Sequence, residues 1–407
     1  MPGSDEADPR LGPRAPLGWF FPGALVATMM ASAFQVFAIA IIASALIDDL
    51  GLSRTEIGIV GALNTAVGAV TAPATGRLTD RIGARRSVVT VLVISALCMA
   101  MMAAAPDVWW LALSAVVGGI PQGWGNPATN SLISTRVSPG RRGGITGVKQ
   151  SGVTFGVFLS GATLPVLTSL WGWRGAVLSF AVLFAVLAVA TMLTLGPDPV
   201  RPTDAATVAA TASESRTPLD PFVWRLTLFA LLMGTAGGAV GRFFPLFAEE
   251  SLGFSLETAG ALTAIGGLLG MAARILVGRL AERRITPTRL LSLLAMVGFA
   301  YCGLLAIVTP STRELLYLSP PLSAVGIAAW NAVAMLAIIM FFSTTQAGRA
   351  SGVVMLGFLG GMSIAGPIAG FVVDQLGDYR YVWAAATALT GLAAIVMWFD
   401  ATGRTPA

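Results

Sequence analysis

Histidine is absent from these 407 residues, cysteine occurs twice, and charged side chains make up only 11% of the chain. Without histidine there is no imidazole to serve as general base or metal ligand near neutral pH. Cys98 and Cys302 each sit inside an apolar run with no metal-ligating neighbour, so neither a disulfide framework nor a zinc centre is supported. No pair of carboxylates is placed for acid–base work, and no glycine run follows a strand or closes with Lys-Ser/Thr as a phosphate-binding loop does. An enzyme is therefore not expected, and neither a cofactor nor a metal. A soluble globular chain carries roughly a quarter charged residues. With 55% apolar residues instead, this chain reads as a membrane protein.

A helix needs about 20 mainly apolar residues to cross the hydrocarbon layer, and lipid leaves backbone groups no partner but the helix itself. Twelve such runs can be marked: 20–47, 56–78, 87–105, 108–134, 143–170 and 174–195, then 222–248, 256–280, 288–308, 317–342, 348–375 and 379–399. The expected fold is all-α, with a bundle of six spans at 20–195 and a second at 222–399. A tail at 1–19, a Pro/Ala/Thr/Ser-rich linker at 196–221 and a tail at 400–407 complete the chain. The start lacks the basic leader of a secretory signal, so the first span is expected to stay attached. The net charge of +5 is carried by arginines in short loops. That distribution reports orientation rather than nucleic-acid binding. With the N-terminus cytoplasmic, 18 of the 25 Lys and Arg fall inside, 4 outside (Arg54, Arg174, Arg313, Arg380) and 3 within spans, so both termini are expected in the cytoplasm of a cell-membrane protein.

Between the second and third runs lies Gly76-Arg77-Leu78-Thr79-Asp80-Arg81-Ile82-Gly83-Ala84-Arg85-Arg86, and Gly278-Arg279-Leu280-Ala281-Glu282-Arg283-Arg284 repeats its start 202 positions later. The echo extends further. Gly51-Leu52-Ser53 matches Gly253-Phe254-Ser255, Gly58 matches Gly260, Gly147 matches Gly352 and Trp173-Arg174 matches Tyr379-Arg380, at offsets of 202 to 206. A near-constant offset marks two copies of one six-span unit in parallel orientation, an arrangement that puts a substrate site between the bundles near mid-membrane. The stretch from Gly76 to Arg86 resembles the loop signature of the major facilitator superfamily, Gly-x-x-x-Asp-Arg-x-Gly-x-Arg-Arg, at every fixed position. The resemblance implies a secondary transporter with a cytoplasmic gate at Gly76, Asp80, Arg81, Gly83 and Arg85, echoed at Gly278, Glu282 and Arg283. It also implies that Asp80 latches the halves by facing the start of span 11 near Arg349, where a helix dipole favours a carboxylate. Charges that merely stop translocation are the plainer reading.

Away from the span ends the charged residues within spans are three, and all are cations: Lys149, Arg242 and Arg274. A charge at membrane depth costs on the order of 3 kcal/mol and marks a substrate or ion path. No mid-span carboxylate is available to pair them, so a substrate anion is the candidate counter-charge. Lys149 either faces a cavity or snorkels to the headgroups; Arg242 either faces a cavity or pairs with Glu249 or Glu250. The spacing of Arg274 and Gly278 is similar to that on span 8 of monocarboxylate and oxalate transporters, which implies a carboxylate held by the planar donors of Arg274. Gly366-Pro367-Ile368-Ala369-Gly370, with Asp374, Gly377, Tyr379 and Arg380, resembles the span 11 region of the same transporters. The chain departs from them at Gly270, where an acid is expected, and in having no lysine in span 1.

In this superfamily spans 1, 4, 7 and 10 line the cavity, which implies roles for Gln35, for Gln122, Trp124, Asn126 and Asn130, and for Trp330 and Asn331. Close packing of helices is the plainer reading of the asparagines. Trp109, Trp110, Trp171, Trp173 and Trp383 read as interfacial anchors. Gly152, Gly156, Gly161 and Pro165 partly resemble the span 5 glycine motif of drug/proton antiporters, a pattern that close packing also explains. Asp48, Asp49, Glu249 and Glu250 are the carboxylates available for proton coupling. The expected partners are a small anionic substrate, possible protons and the bilayer, with a monomeric chain. Organic-anion transport by proton symport or anion exchange is the first reading, and a drug or secondary-metabolite exporter the second.

Overall fold

The computed structural model describes residues 20–138, 141–198, 220–283, 285–341 and 344–399. The two tails, most of the linker and the side chains of Glu282 and Arg283 lie outside the described residues. Three helices begin where the sequence supplies a side-chain cap. Ser53 and Glu56 form a reciprocal capping box at the start of Arg54–Ile82, with 3.1 Å from the Glu56 N–H to Ser53 Oγ and 2.8 Å from the Ser53 N–H to Glu56 Oε2. Asp107 accepts from the Trp110 N–H at 2.9 Å to start Val108–Arg136. Asp220 accepts from the Phe222 N–H at 2.7 Å ahead of Pro221, where a missing N–H costs nothing.

Ten described helices are long and apolar enough to cross a bilayer by length and composition. One of them, Arg142–Thr194, has 53 residues, far more than one crossing needs. It turns at Gly172 (φ 68°), where only glycine is unstrained, and so comprises spans 5 and 6. Val108–Arg136, held below the hydropathy threshold by its Pro, Gln and Asn run, is span 4, and the total is twelve. Two expected spans are interrupted. Span 1 is Phe20–Ile41 followed by Ala43–Leu50, with Ile42 out of helical register. Span 10, expected as one helix over 317–342, is instead 3-10 over Pro310–Leu318, α over Ser319–Ser323, π over Ala324–Ala328 and α again over Trp330–Phe341. Pro320 and Pro321 remove two backbone donors there, which accounts for the irregular winding. The other spans are Ala84–Ala103 (3), Pro221–Glu250 (7), Leu256–Arg283 (8), Pro287–Ile307 (9), Thr344–Leu376 (11) and Arg380–Trp398 (12).

The duplication is visible in the backbone. Among the described residues five glycines have positive φ, and four of them form two repeat pairs: Gly51 (66°) with Gly253 (67°), and Gly172 (68°) with Gly377 (68°). The same relation governs packing between the halves, where span 2 lies on span 11 and span 5 on span 8. A Cβ on Gly58 would collide with the Gly366 carbonyl, and one on Gly161 would come within 2.5 Å of the Gly260 carbonyl. Gly58 and Gly260 are repeat partners, and so are Gly161 and Gly366. One contact is therefore the copy of the other, which makes the interface itself two-fold. The glycine spacing in span 5 thus serves close helix approach.

Trp109 (81% exposed), Trp110 and Trp171 stand on the surface, as interfacial anchors do, whereas Trp173 and Trp383 are buried. Trp173 donates to Asp49 at 3.1 Å and lies under the Arg174 guanidinium, and Trp383 packs with Phe247 and Tyr379. Their indoles are spent inside the protein, which corrects the reading of those two residues as anchors.

Candidate functional site

Spans 5 and 8 run antiparallel across the interface, and their register fixes which residues share a level. A Cβ on Gly161 would meet Gly260 and Ala264, and a Cβ on Gly267 would meet Thr154 and Phe158. Gly270 faces Thr154. Continuing the register, Lys149 lies five residues before Thr154 and Arg274 four after Gly270, so the two cations stand at the same depth on opposite halves.

Lys149 is buried, and its Nζ donates to Asn126 Oδ1 at 2.9 Å and to Asn130 Oδ1 at 2.7 Å. Asn126 and Asn130, four apart on one face of span 4, are themselves exposed, so the amine lies just behind a polar surface. The structure thus brings together three residues singled out separately in the sequence. On the other half the Arg274 Nε donates to the Ala328 carbonyl at 3.0 Å. Ala328 ends the π turn of span 10, a winding that unhooks carbonyls from the helical ladder and recurs at functional sites. Among the described residues neither Lys149 nor Arg274 has a carboxylate partner.

Arg242 sits differently. It is 3% exposed, and its guanidinium crosses from span 7 to span 2, donating to Gly61 O at 2.9 Å and Thr65 Oγ1 at 3.0 Å, and to Met362 O of span 11 at 2.5 Å. The pairing with Glu249 or Glu250 weighed from the sequence does not form. Gln35 accepts from Asn64 at 2.9 Å and donates to Ser114 at 3.2 Å within the first bundle. Buried oxygens on Asn64 and Gln122 lack partners. Trp124 donates to Thr79 Oγ1 at 2.7 Å, while Trp330 packs edge-on against Phe229 and Phe358. Asn331 has only a 4.0 Å approach to the Met355 sulfur.

At the face carrying Arg54 the halves are clamped by charge. Arg54 meets both oxygens of Glu250 at 3.0 and 2.7 Å, and Tyr379 donates to Glu250 at 2.7 Å. Burial, and then Glu250, push the Tyr379 phenol up, so it stays a donor. Asp374 accepts from the Thr55 N–H at 2.8 Å and the Thr55 hydroxyl at 2.6 Å, capping span 2 from span 11. Asp49 pairs with Arg174 and also accepts from the Trp173 indole N–H at 3.1 Å. Glu249 accepts from Ser44 at 2.8 Å, while its other oxygen is buried without a partner. Asp48 is exposed.

At the opposite face Asp80 and Arg81 stand exposed on the last turn of span 2, and Gly76 and Gly278 have open space where a Cβ would be. Gly83 takes φ 91°, which brings Asp198 to the start of span 3, where its carboxylate accepts from the Arg85 N–H at 2.9 Å and from Arg136 at 3.3 Å. Asp198 lies in the linker and nothing in its local pattern signals this role. Arg54, Asp374 and Tyr379 escaped the reading for another reason: their partners are 129 to 320 residues away.

Two bundles, cations from both at one depth, and a two-fold glycine interface agree with a family model. Residues 23–329 match the Major Facilitator Superfamily. The chain belongs to this family. Its spans make it a multi-pass membrane protein. Relatives include an uncharacterized MFS-type transporter of Mycobacterium tuberculosis, 25% identical over 60% of this chain and 54% of that protein. The matched part thus spans about half the length of that relative. The gentisate transporter of Corynebacterium glutamicum is 25% identical over 90% of this chain and 80% of its own. The multidrug resistance protein MdtG of Dickeya zeae is 24% identical over 70% of each. A bacterial homologue of the human lysosomal transporter Spinster, solved inward-facing and occupied, superposes with a TM-score of 0.78 at 17% identity, covering 95% of this chain and 98% of that one.

Proposed function

We propose that this transporter carries a small organic anion, a carboxylate, by alternating access between the two bundles. One observation carries the reading: Lys149 and Arg274 face a common level from opposite halves, and among the described residues no carboxylate neutralises them. An anion entering between them completes both coordination shells and draws the halves together, so binding and closure are the same event. Arg274 is the anchor, since a guanidinium can meet both carboxylate oxygens. Lys149 is the second cation, held ready by Asn126 and Asn130. The gentisate transporter among the relatives supports the substrate class. The excess of arginine at the Asp80 end supports a cytoplasmic placement of that face, with Asp80 as the latch of the opposite closure. Among the carboxylates offered for proton coupling, Asp49 and Glu250 are committed to ion pairs and Glu249 is not.

The test is uptake into proteoliposomes with gentisate as probe. Wild-type protein should show saturable uptake, and Arg274→Ala should weaken apparent affinity by about 10- to 150-fold, the equivalent of about 1.5–3 kcal/mol for hydrogen bonds to a charged group. Unchanged uptake in Arg274→Ala would remove the anchor. The multidrug relative favours a second reading, export of a lipophilic compound. Competition separates the two: carboxylates should inhibit uptake and lipophilic cations should not.

A further inference from the structure

Arg242 is the third cation within the spans, and its surroundings do not resemble those of the other two. Its four hydrogen bonds go to Gly238 O and Met362 O on its own half and to Gly61 O and Thr65 Oγ1 on the other, while Nε is buried without a partner. The sequence has made room for this crossing. A Cβ on Gly61 would come within 2.6 Å of Nε, and one on Gly366 within 3.0 Å of Cδ. The repeat shows what the arginine adds. At the offset of 202 Arg242 corresponds to Ala40 and Gly61 to Thr263, and at that mirrored position there is a cavity of ≈ 120 Å³ lined by Ala40 and Thr263, with Arg242 on its wall. One side of the two-fold interface is bridged by a guanidinium, and its mate is hollow.

We propose that Arg242 is the inner bolt of the gate at the Arg54 face, a positioning residue that holds spans 2, 7 and 11 together and sets how often that face opens. It lies eight residues from Glu250 along span 7, about 12 Å at helical rise. The gate therefore has two layers, an ion-pair layer at the surface and this bolt beneath it. Every acceptor of the bolt is a neutral oxygen, so it is strong enough to close the path and lacks the counter-ion that would make closure permanent. The proposal needs alternating access alone and stands whatever the transported compound is.

The test reads accessibility, with a reporter cysteine in the cavity, Ala40→Cys, and a membrane-impermeant maleimide applied separately to each face of full-length protein in vesicles. Native Cys98 and Cys302 are buried, so they report unfolding and stay unreactive in a folded variant. Adding Arg242→Gln should raise labelling of the reporter from the Arg54 face by about tenfold or more, the size expected for losing one charge-assisted bond. Labelling at the parent rate with both native thiols silent overturns the proposal. Should Arg242→Gln expose Cys98 or Cys302, Thr65→Val decides, because it keeps the guanidinium and removes one acceptor on the opposite half. A several-fold rise then sustains the bolt, and the parent rate overturns it. Gentisate uptake plays no part in this readout, so failure of the carboxylate reading would leave it unaffected.

Discussion

Glu249 and Glu250 are adjacent in sequence and do opposite things. Glu250 meets the fork of Arg54 with both oxygens and takes a third bond from Tyr379, so its charge is matched within the cluster. Glu249 points between spans 7 and 1, where Ser44 satisfies one oxygen and the other is buried bare. Among the described residues Glu249 has no ion-pair partner. A lone buried carboxylate oxygen is costly as an anion and much less so as a protonated acid. The expected outcome for Glu249→Gln is that gentisate uptake continues but no longer responds to an imposed pH gradient, whereas Asp49→Asn, which loses a carboxylate already committed to Arg174, keeps the response. Both variants responding like wild type would exclude Glu249 as the coupling site. The sequence offers all four carboxylates equally, since pairing with Arg54 or Ser44 depends on which spans meet and no local pattern encodes that.

At the scale of helices the two glycine contacts decide how closely the halves approach. Gly58 against Gly366 and Gly161 against Gly260 place backbone on backbone, with no space for even a methyl group. Without a hydrophobic drive between helices in lipid, this close van der Waals contact is a principal source of their association. Gly161→Val should therefore destabilise the folded protein by at least the roughly 1–3 kcal/mol typical of overpacking, read as a fall in melting temperature in detergent, while Gly147→Val, where a Cβ meets open space, should leave it nearly unchanged. Equal melting temperatures would mean that the 5–8 contact is not part of the stable interface. The repeat of Gly58 at Gly260 was legible as a constant offset. That Gly58 packs on the copy of Gly161 was not, because spacing within a helix says which face is small and not which helix it meets. Span 10 was misread for a related reason: hydropathy records that a stretch is apolar and is blind to the 3-10 and π winding that prolines impose.

The molecule as a whole is closed at the Arg54 face by contacts that cost little to break. Each exposed ion pair is worth about 0–1 kcal/mol, and Asp374 adds a helix cap of about 1 kcal/mol, sums well within reach of a transport cycle. Among the described residues Lys149 and Arg274 meet no carboxylate. If the cycle requires the Arg54 face to open, linking span 2 to span 11 there must arrest it. Thr55 and Asp374 touch side chain to side chain at 2.6 Å, so cysteines at both positions are close enough to be joined by a short bifunctional thiol reagent. Cross-linked protein should bind gentisate and fail to take it up, a reducible linker should restore uptake when cleaved, and either single cysteine treated alike should transport normally. Uptake by the linked protein would show that substrate leaves by a route that does not separate spans 2 and 11. The bolt at Arg242 and the ion pairs above it would then be scaffold rather than gate.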